Sequence, residues 1–204
     1  MRQGRGRPKA IEQKKRIIAQ TAAVLFSEKS YLDTSLADIA VAAGFTKAGI
    51  YHYFPSKDEI LFYVTNTFLD EGLEEIEQQL SGVKDSRAKI RTLVHHVISH
   101  YTREQSAAKT LFHDNMLLPS QSFQIIKEKQ RRYVQITVDI LGEFFGQKLS
   151  KGHMISLAFL LLGMCSWTFS WYKPQGSVTP DELSEIIYDI FIEGIQGHIQ
   201  KIDN

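Results

Sequence analysis

Between Leu36 and Phe54 the chain reads LADIAVAAGFTKAGIYHYF, and its polar side chains recur at helical spacing. Lys47 and Tyr51 are four apart, and so are Ala48 and His52. On a helix those pairs share one side, while Ile50 and Phe54, also four apart, take the other, with Phe45 plugging the preceding turn. The chemistry this offers is recognition. Lys47 can donate to guanine or to a phosphate, and Tyr51 and His52 can donate to backbone oxygens. Ala48 and Gly49 are small enough to let a helix approach base edges. Thr46, with the free N–H groups of a first helical turn, suits a phosphate. Thr34, Ser35 and Lys57, at the ends of flanking helices, suit the gripping of phosphates that fixes register.

Groups for bond-making are not assembled. The sequence has no glycine-rich phosphate loop, no nucleophile elbow and no carboxylate pair placed for acid–base work. Cys165 lies mid-way along an apolar segment with no activating base in view, so an enzyme is not expected. His96 and His100 have the i, i+4 spacing of helical metal ligands. No cysteine or carboxylate stands beside them at ligand spacing, so they read as surface or core-edge histidines, and neither a metal nor a cofactor is expected.

The elements that must position these residues are all helical. Apolar periodicity predicts helices over 10–28, 36–43, 47–53 and 57–80, then near 86–103, 106–117, 121–146, 151–172 and 181–201. Gly44 should end the second helix in a left-handed turn, and Thr46 should cap the third. Pro119, Gly152, Pro174, Gly176 and Pro180 fall at or near later breaks. No strand-type alternation of convincing length occurs. The fold class is all-α, about nine helices, with a three-helix N-terminal helix-turn-helix unit and a larger helical body. A helix pair with a glycine turn is common in helical proteins, so geometry alone leaves a purely structural pair open.

Charge separates the same two regions. Residues 1–57 hold ten Lys/Arg against four Asp/Glu, a net of +6, and residues 58–204 hold 14 against 19, a net of −5. A basic end on an acidic body fits a nucleic-acid module, although a solvated basic tail reads the same way. Residues 1–9 should be a flexible basic arm. Its Gly4–Lys9 stretch, GRGRPK, resembles an AT-hook, whose extended backbone would place Arg5 and Arg7 in an A·T-rich minor groove; a tail adding only non-specific attraction fits equally. A single cysteine and a polar N-terminus point to a cytoplasmic protein. The Ile155–Tyr172 segment is only marginally long enough for a membrane span and is diluted by polar residues, so no membrane partner is expected.

KRIIAQTAAVLFSEKSY from Lys15, then Thr34, Ile39-Ala40, Ala43-Gly44-Phe45-Thr46, Ile50-Tyr51-His52-Tyr53-Phe54 and Lys57-Asp58-Glu59-Ile60-Leu61 together resemble the TetR family. The resemblance covers about the first 60 residues. It departs at Ser30, where the family often has glycine; a serine there bears about 1 kcal/mol or less of backbone strain or shifts the turn. It departs again at Ala48, since the family often has its glycine directly after the Lys47 position. The resemblance implies a one-component regulator, most simply a repressor that leaves double-stranded operator DNA on binding a small molecule. Its domains would be a DNA-binding region over 10–56 and a ligand-binding and dimerisation region over 57–204. A DNA-bound protein-interaction factor of the same fold, a nucleoid or division-site protein, is the alternative.

The resemblance also implies a homodimer formed by the last two helices. Leu157, Leu161, Met164 and Thr168 are the expected seam of one, and Ile186, Ile190, Phe191, Gly194, Ile195 and Gly197 that of the other. The middle helices would enclose the ligand, with His96, His100, Phe112, His113, Met116, Phe123, Tyr133, Met164, Trp167 and Trp171 as pocket residues. The stretch WTFSWYKP from Trp167, followed by the capped start VTPDEL from Val178, resembles the branch of the family that answers acyl-coenzyme A thioesters. An acyl-CoA or another apolar effector is therefore the expected ligand, with ordinary aromatic core the competing account of the same residues.

Overall fold

A computed structural model describes residues 6–202, and the side chains of 9–146 and 148–194. The helices are α1 (Gly6–Lys29), α2 (Leu36–Ala43), α3 (Lys47–Tyr51), α4 (Lys57–Leu80), α5 (Ser86–Arg103), α6 (Gln105–Asp114), α7 (Ser120–Phe145), α8 (Lys151–Ser166), α9 (Thr168–Trp171) and α10 (Pro180–Ile202). Short 3-10 turns follow α6 and α7, and no strand occurs among the described residues.

Several boundaries differ from those read in the sequence: α3 ends at Tyr51 rather than 53, and α6 at Asp114 rather than 117, with a 3-10 turn over Asn115–Leu117. The first helix starts at Gly6, so residues 6–9 of the expected arm are helical. Pro8 is tolerated because its missing N–H is one that a first helical turn leaves unpaired. The expected 151–172 helix is interrupted at Trp167. The Thr168 hydroxyl donates to the Cys165 carbonyl at 2.7 Å, a local bond that competes with the helical ladder, and the chain resumes as the single turn α9.

The chain forms two compact units. One comprises the residues up to Leu69 together with Ser106–Lys127; the other comprises Asp70–Gln105 with Glu128 onward. The first unit therefore takes in α6 and the start of α7, beyond the 10–56 span that sequence suggests. Its packing explains this. Ile18, Ala22 and Phe26 of α1, Ile39 of α2, Ile60, Leu61 and Phe68 of α4, and Ala108 and Leu111 of α6 are all buried. The α1 helix ends at a left-handed residue, Ser30, with φ +79°. Its hydroxyl donates to the Asp33 carboxylate at 2.9 Å, offsetting part of the strain.

In the second unit α5 is the central element. Its buried residues Ile90, Leu93, Val94, Val97 and Ile98 accompany those of α10 (Leu183, Ile187, Tyr188, Phe191, Ile192) and α8 (Met154, Ala158, Leu161, Cys165). Both α8 and α10 are apolar on two faces. Ile155, Phe159, Leu160, Ile186 and Ile190 are exposed. The seam expected on α8 is corrected: Leu161 and Thr168 are buried within the unit, and the free stripe runs through Ile155, Phe159, Gly163, Trp167 and Trp171. On α10, Phe191 also faces inward, and the side chains at 195 and 197 lie outside the described set. By length and composition Lys151–Trp171 could cross a membrane, yet a third of its apolar window is buried within the unit.

Candidate nucleic-acid interface

The helix pair is built by local chemistry. Ser35 caps α2: its hydroxyl accepts the Asp38 N–H at 3.1 Å, and the Asp38 carboxylate accepts the Ser35 N–H at 2.9 Å and its O–H at 2.7 Å. This reciprocal box covers two of the donors a helix start leaves open, and those same bonds hold the Asp38 carboxyl below the usual carboxylate range. Gly44 ends α2 with φ +72°, and the Phe45 N–H bonds back to the Ala40 carbonyl at 2.8 Å. Thr46 caps α3 by accepting the Gly49 N–H at 2.9 Å. A Cβ on Gly49 would stand 3.1 Å from that capping oxygen, so glycine preserves the cap as well as a smooth surface.

The recognition side and the anchoring side separate as the spacing requires. Thr46, Lys47, Ala48, Tyr51 and His52 are exposed and Gly49 is half-buried, while Ile50 and Phe54 are buried. Phe54 meets Tyr63 edge-on at 5.3 Å between centroids, with Lys15 Nζ 5.5 Å from the Phe54 ring centre. Phe45 meets Tyr53 edge-on at 5.8 Å. A bare surface of a cation, a phenol and an imidazole over small residues can enter a groove and donate hydrogen bonds there.

Three expected phosphate contacts have other employment. Thr34 is 1% exposed, and its hydroxyl donates to the Ser30 carbonyl at 2.8 Å, closing the end of α1. Lys57 Nζ donates to the carbonyls of Tyr31 at 2.7 Å and Thr34 at 2.8 Å, and lies 4.2 Å from the Tyr31 ring centre. The Tyr31 hydroxyl in turn bonds Asp58. Thr34 and Lys57 thus tie the α1–α2 turn to the start of α4. Ser35 is exposed but engaged in its cap. Arg5 and the Arg7 side chain lie outside the described residues. The backbone is helical from Gly6, so the extended run to Lys9 that a minor-groove hook needs is not present. Sequence reasoning missed Asp38 and Tyr31. The Ser35-x-x-Asp38 spacing was a legible signal for the first; Tyr31 acts through partners 26 and 27 residues away and carried none.

Of the expected pocket residues, the second unit brings together His96, His100 and Tyr133. All three are buried. The two imidazoles stack at 5.7 Å, and His96 Nε2 lies 3.3 Å from the Tyr133 hydroxyl. Arg103 donates to Glu75 at 3.0 Å and to His100 Nδ1 at 3.0 Å, and Glu75 stands 3.9 Å from both rings. Desolvation first, and His100 second, push His96 down to about 4. The cluster sits against Gly72 of α4, where a Cβ would overlap the Tyr133 hydroxyl. Met164 is half-buried in the same unit. Trp167 and Trp171 are 60% and 53% exposed and line no interior of this chain, because they continue the outward stripe of α8. Phe112, His113 and Met116 are exposed and Phe123 is half-buried; these four belong to the first unit. No group of three or more His, Cys, Asp or Glu able to hold a metal occurs among the described residues. Burial pushes the Cys165 thiol up to about 12, which leaves it unreactive.

Residues 18–64 match the family described as bacterial regulatory proteins, tetR family, and residues 83–195 match the tetracyclin repressor-like C-terminal domain. The chain is 27% identical over 179 residues to the HTH-type transcriptional repressor KstR2 of Rhodococcus jostii (strain RHA1), covering 85% of this chain and 87% of that protein. Among solved structures it resembles a TetR-family transcriptional regulator from Bordetella parapertussis 12822, with 28% identity, a TM-score of 0.83, and coverage of 87% and 93%. It also resembles AibR in complex with isovaleryl coenzyme A and operator DNA, with 26% identity, a TM-score of 0.75, and coverage of 87% and 97%.

Proposed function

The chain belongs to the TetR family of DNA-binding transcriptional regulators, and on that premise we propose that it is a homodimeric repressor released from its operator by a small apolar effector, an acyl-coenzyme A thioester being the favoured class. One observation carries the DNA half: Lys47, Ala48, Tyr51 and His52 stand outward on a helix whose Ile50 and Phe54 are buried behind it. In this reading α3 enters the major groove, and the protein works in the cytoplasm.

The dimer rests on the outward stripe of α8 and α9 and on Ile186 and Ile190 of α10. Apolar side chains at this density on one surface mark an interaction face, and two such helices from each subunit make a four-helix interface. Trp167 and Trp171 belong to that face in this reading. The effector class rests on the likeness to AibR, whose structure holds isovaleryl coenzyme A. In this reading the His96–His100–Tyr133 cluster, buried within the second unit, is the polar group that the effector meets. Because α4 is one helix from Lys57 to Leu80, carrying Gly72 of that cluster, a tilt imposed there reaches Lys57 and the turn it holds. A coupling of about 1–3 kcal/mol changes operator affinity about 5- to 150-fold.

Fluorescence anisotropy on a duplex enriched by the protein from a random pool tests the reading. Lys47→Ala and Tyr51→Ala should each weaken binding, and affinity indifferent to both removes α3 from the groove. Titration of the bound duplex with short acyl-coenzyme A thioesters should release it; a panel that changes neither release nor melting temperature removes that effector class.

A further inference from the structure

Three helices of the DNA-reading unit meet at one aromatic pair. Phe54 follows α3 and is buried, and its N–H bonds to the Ile50 carbonyl at 3.0 Å, so it is tied to the last turn of that helix. Tyr63 of α4 stands edge-on to it, 5.3 Å between centroids. The Tyr63 hydroxyl donates to the Glu12 carboxylate of α1. Lys15 Nζ lies 5.5 Å from the Phe54 ring centre and 6.0 Å from that of Tyr63. Glu12 and Lys15 are three apart, so one face of α1 supplies both.

Lys15 is the feature that needs an account. It lies in the basic stretch Lys14-Lys15-Arg16, where attraction to phosphate is the ordinary role. Lys14 and Arg16 are exposed, but Lys15 is half-buried, and its ammonium stands over two rings. The negative face of an aromatic ring holds a cation placed there, and an edge-on aromatic pair favours the spacing of Phe54 and Tyr63. Long side chains, each engaging the next, thus join α1 and α4 behind the end of α3.

We infer that Lys15 and Tyr63 are positioning residues for DNA reading: they brace Phe54 from behind and fix the angle at which α3 meets the duplex, without touching DNA themselves. This rests on the reading that α3 enters the groove. Loosening the brace spreads α3 over several angles, and specific affinity falls with the fraction that fits the duplex. Non-specific attraction depends on the basic surface as a whole and changes little.

The test compares specific with non-specific binding in the full-length protein. The probes are the duplex that the wild-type protein enriches from a random pool and a scrambled duplex of equal length. Lys15→Met keeps the side-chain stem and removes the ammonium; Tyr63→Leu removes the ring and suits a half-buried site. Each should weaken the enriched duplex about three- to tenfold and leave the scrambled duplex within about twofold. The double variant should lose less than the product of the two, because both act on one ring. Tyr63→Phe keeps the ring and gives up only the bond to Glu12, so its ratio should fall less than that of Tyr63→Leu. The salt slope of Lys15→Met should match that of the wild type. A slope shallower by about one, with both duplexes weakened alike, makes Lys15 a phosphate contact and overturns the proposal. So do affinities that fall together with the folded fraction measured by thermal melting. Lys47→Ala separates this inference from the groove reading. If it leaves the ratio unchanged, α3 is not in the groove and the brace falls with that reading; if it lowers the ratio while Lys15→Met and Tyr63→Leu keep the wild-type value, the brace alone is overturned.

Discussion

Replacing Gly72 with alanine sets two opposing effects against each other. Glycine inside a helix is less favourable than alanine by about 1 kcal/mol, so at an open position the change would stabilise. Here the new methyl group would overlap the Tyr133 hydroxyl and stand 2.9 Å from His100 Nε2 and 3.0 Å from its Cδ2. Neither ring can swing away, since Tyr133 is 7% exposed and His100 1%. Overpacking of this kind costs about 1–3 kcal/mol. Displacing the hydroxyl also breaks its contact with His96, worth about 1 kcal/mol. The net expectation is a loss of about 1–3 kcal/mol, and at about 2–4 °C per kcal/mol for a chain this long the melting temperature falls visibly. Tyr133→Phe removes the overlapping atom, so Gly72→Ala should cost less in that background. Urea and thermal unfolding of the four proteins give the coupling directly. The reasoning is refuted if Gly72→Ala raises the melting temperature, or if its cost is the same with tyrosine or phenylalanine at 133.

Four further outcomes are open to measurement. Gly49→Ala should weaken operator binding more than it changes stability, because the methyl group crowds the Thr46 cap and stands on the face proposed to meet DNA; unchanged anisotropy titrations would contradict this. His96 is neutral in the native state, held down to about 4 from an ordinary value of 6.5, so the unfolded chain binds the extra proton first. Its contribution is complete above pH 6.5 and is lost as pH falls toward 4, up to about 3 kcal/mol; His96→Gln should lose less over that window in urea titrations, and parallel curves would refute the assignment. Phe159→Glu should yield monomers in sedimentation velocity at micromolar concentration, while a persistent dimer would take α8 out of the interface. Ser30→Gly relieves a left-handed serine but forfeits its bonds to Asp33, so its unfolding free energy should lie within about 1 kcal/mol of wild type.

Legibility in the sequence followed the range of the interaction. Gly44, Thr46 and Ser35 act on residues within four positions, and α2, α4 and α5 have the limits that such local signals suggested. The outward set on α3 was legible for the same reason, since helical period alone separates Lys47 and Tyr51 from Ile50 and Phe54. Thr34 and Lys57 were read as phosphate contacts because their true partners, the carbonyls of Ser30, Tyr31 and Thr34, are defined by a turn whose path no periodicity reports. The seam of α8 was placed on the wrong stripe because residues 154–171 are apolar on nearly every side, which leaves the period without a phase. Aromatic type alone could not say whether Trp167, Phe112 or Tyr133 faces inward; only Tyr133 does.

The chain's two tryptophans, Trp167 and Trp171, stand on the outward stripe that continues α8. Indole emission shifts to shorter wavelength when water is withdrawn from the ring. A lone subunit would therefore glow with hydrated indoles and a paired one with dry indoles, and no other tryptophan in the chain would dilute the difference. Dissociation of the proposed dimer on dilution would then be followed in the unlabelled molecule by its colour alone.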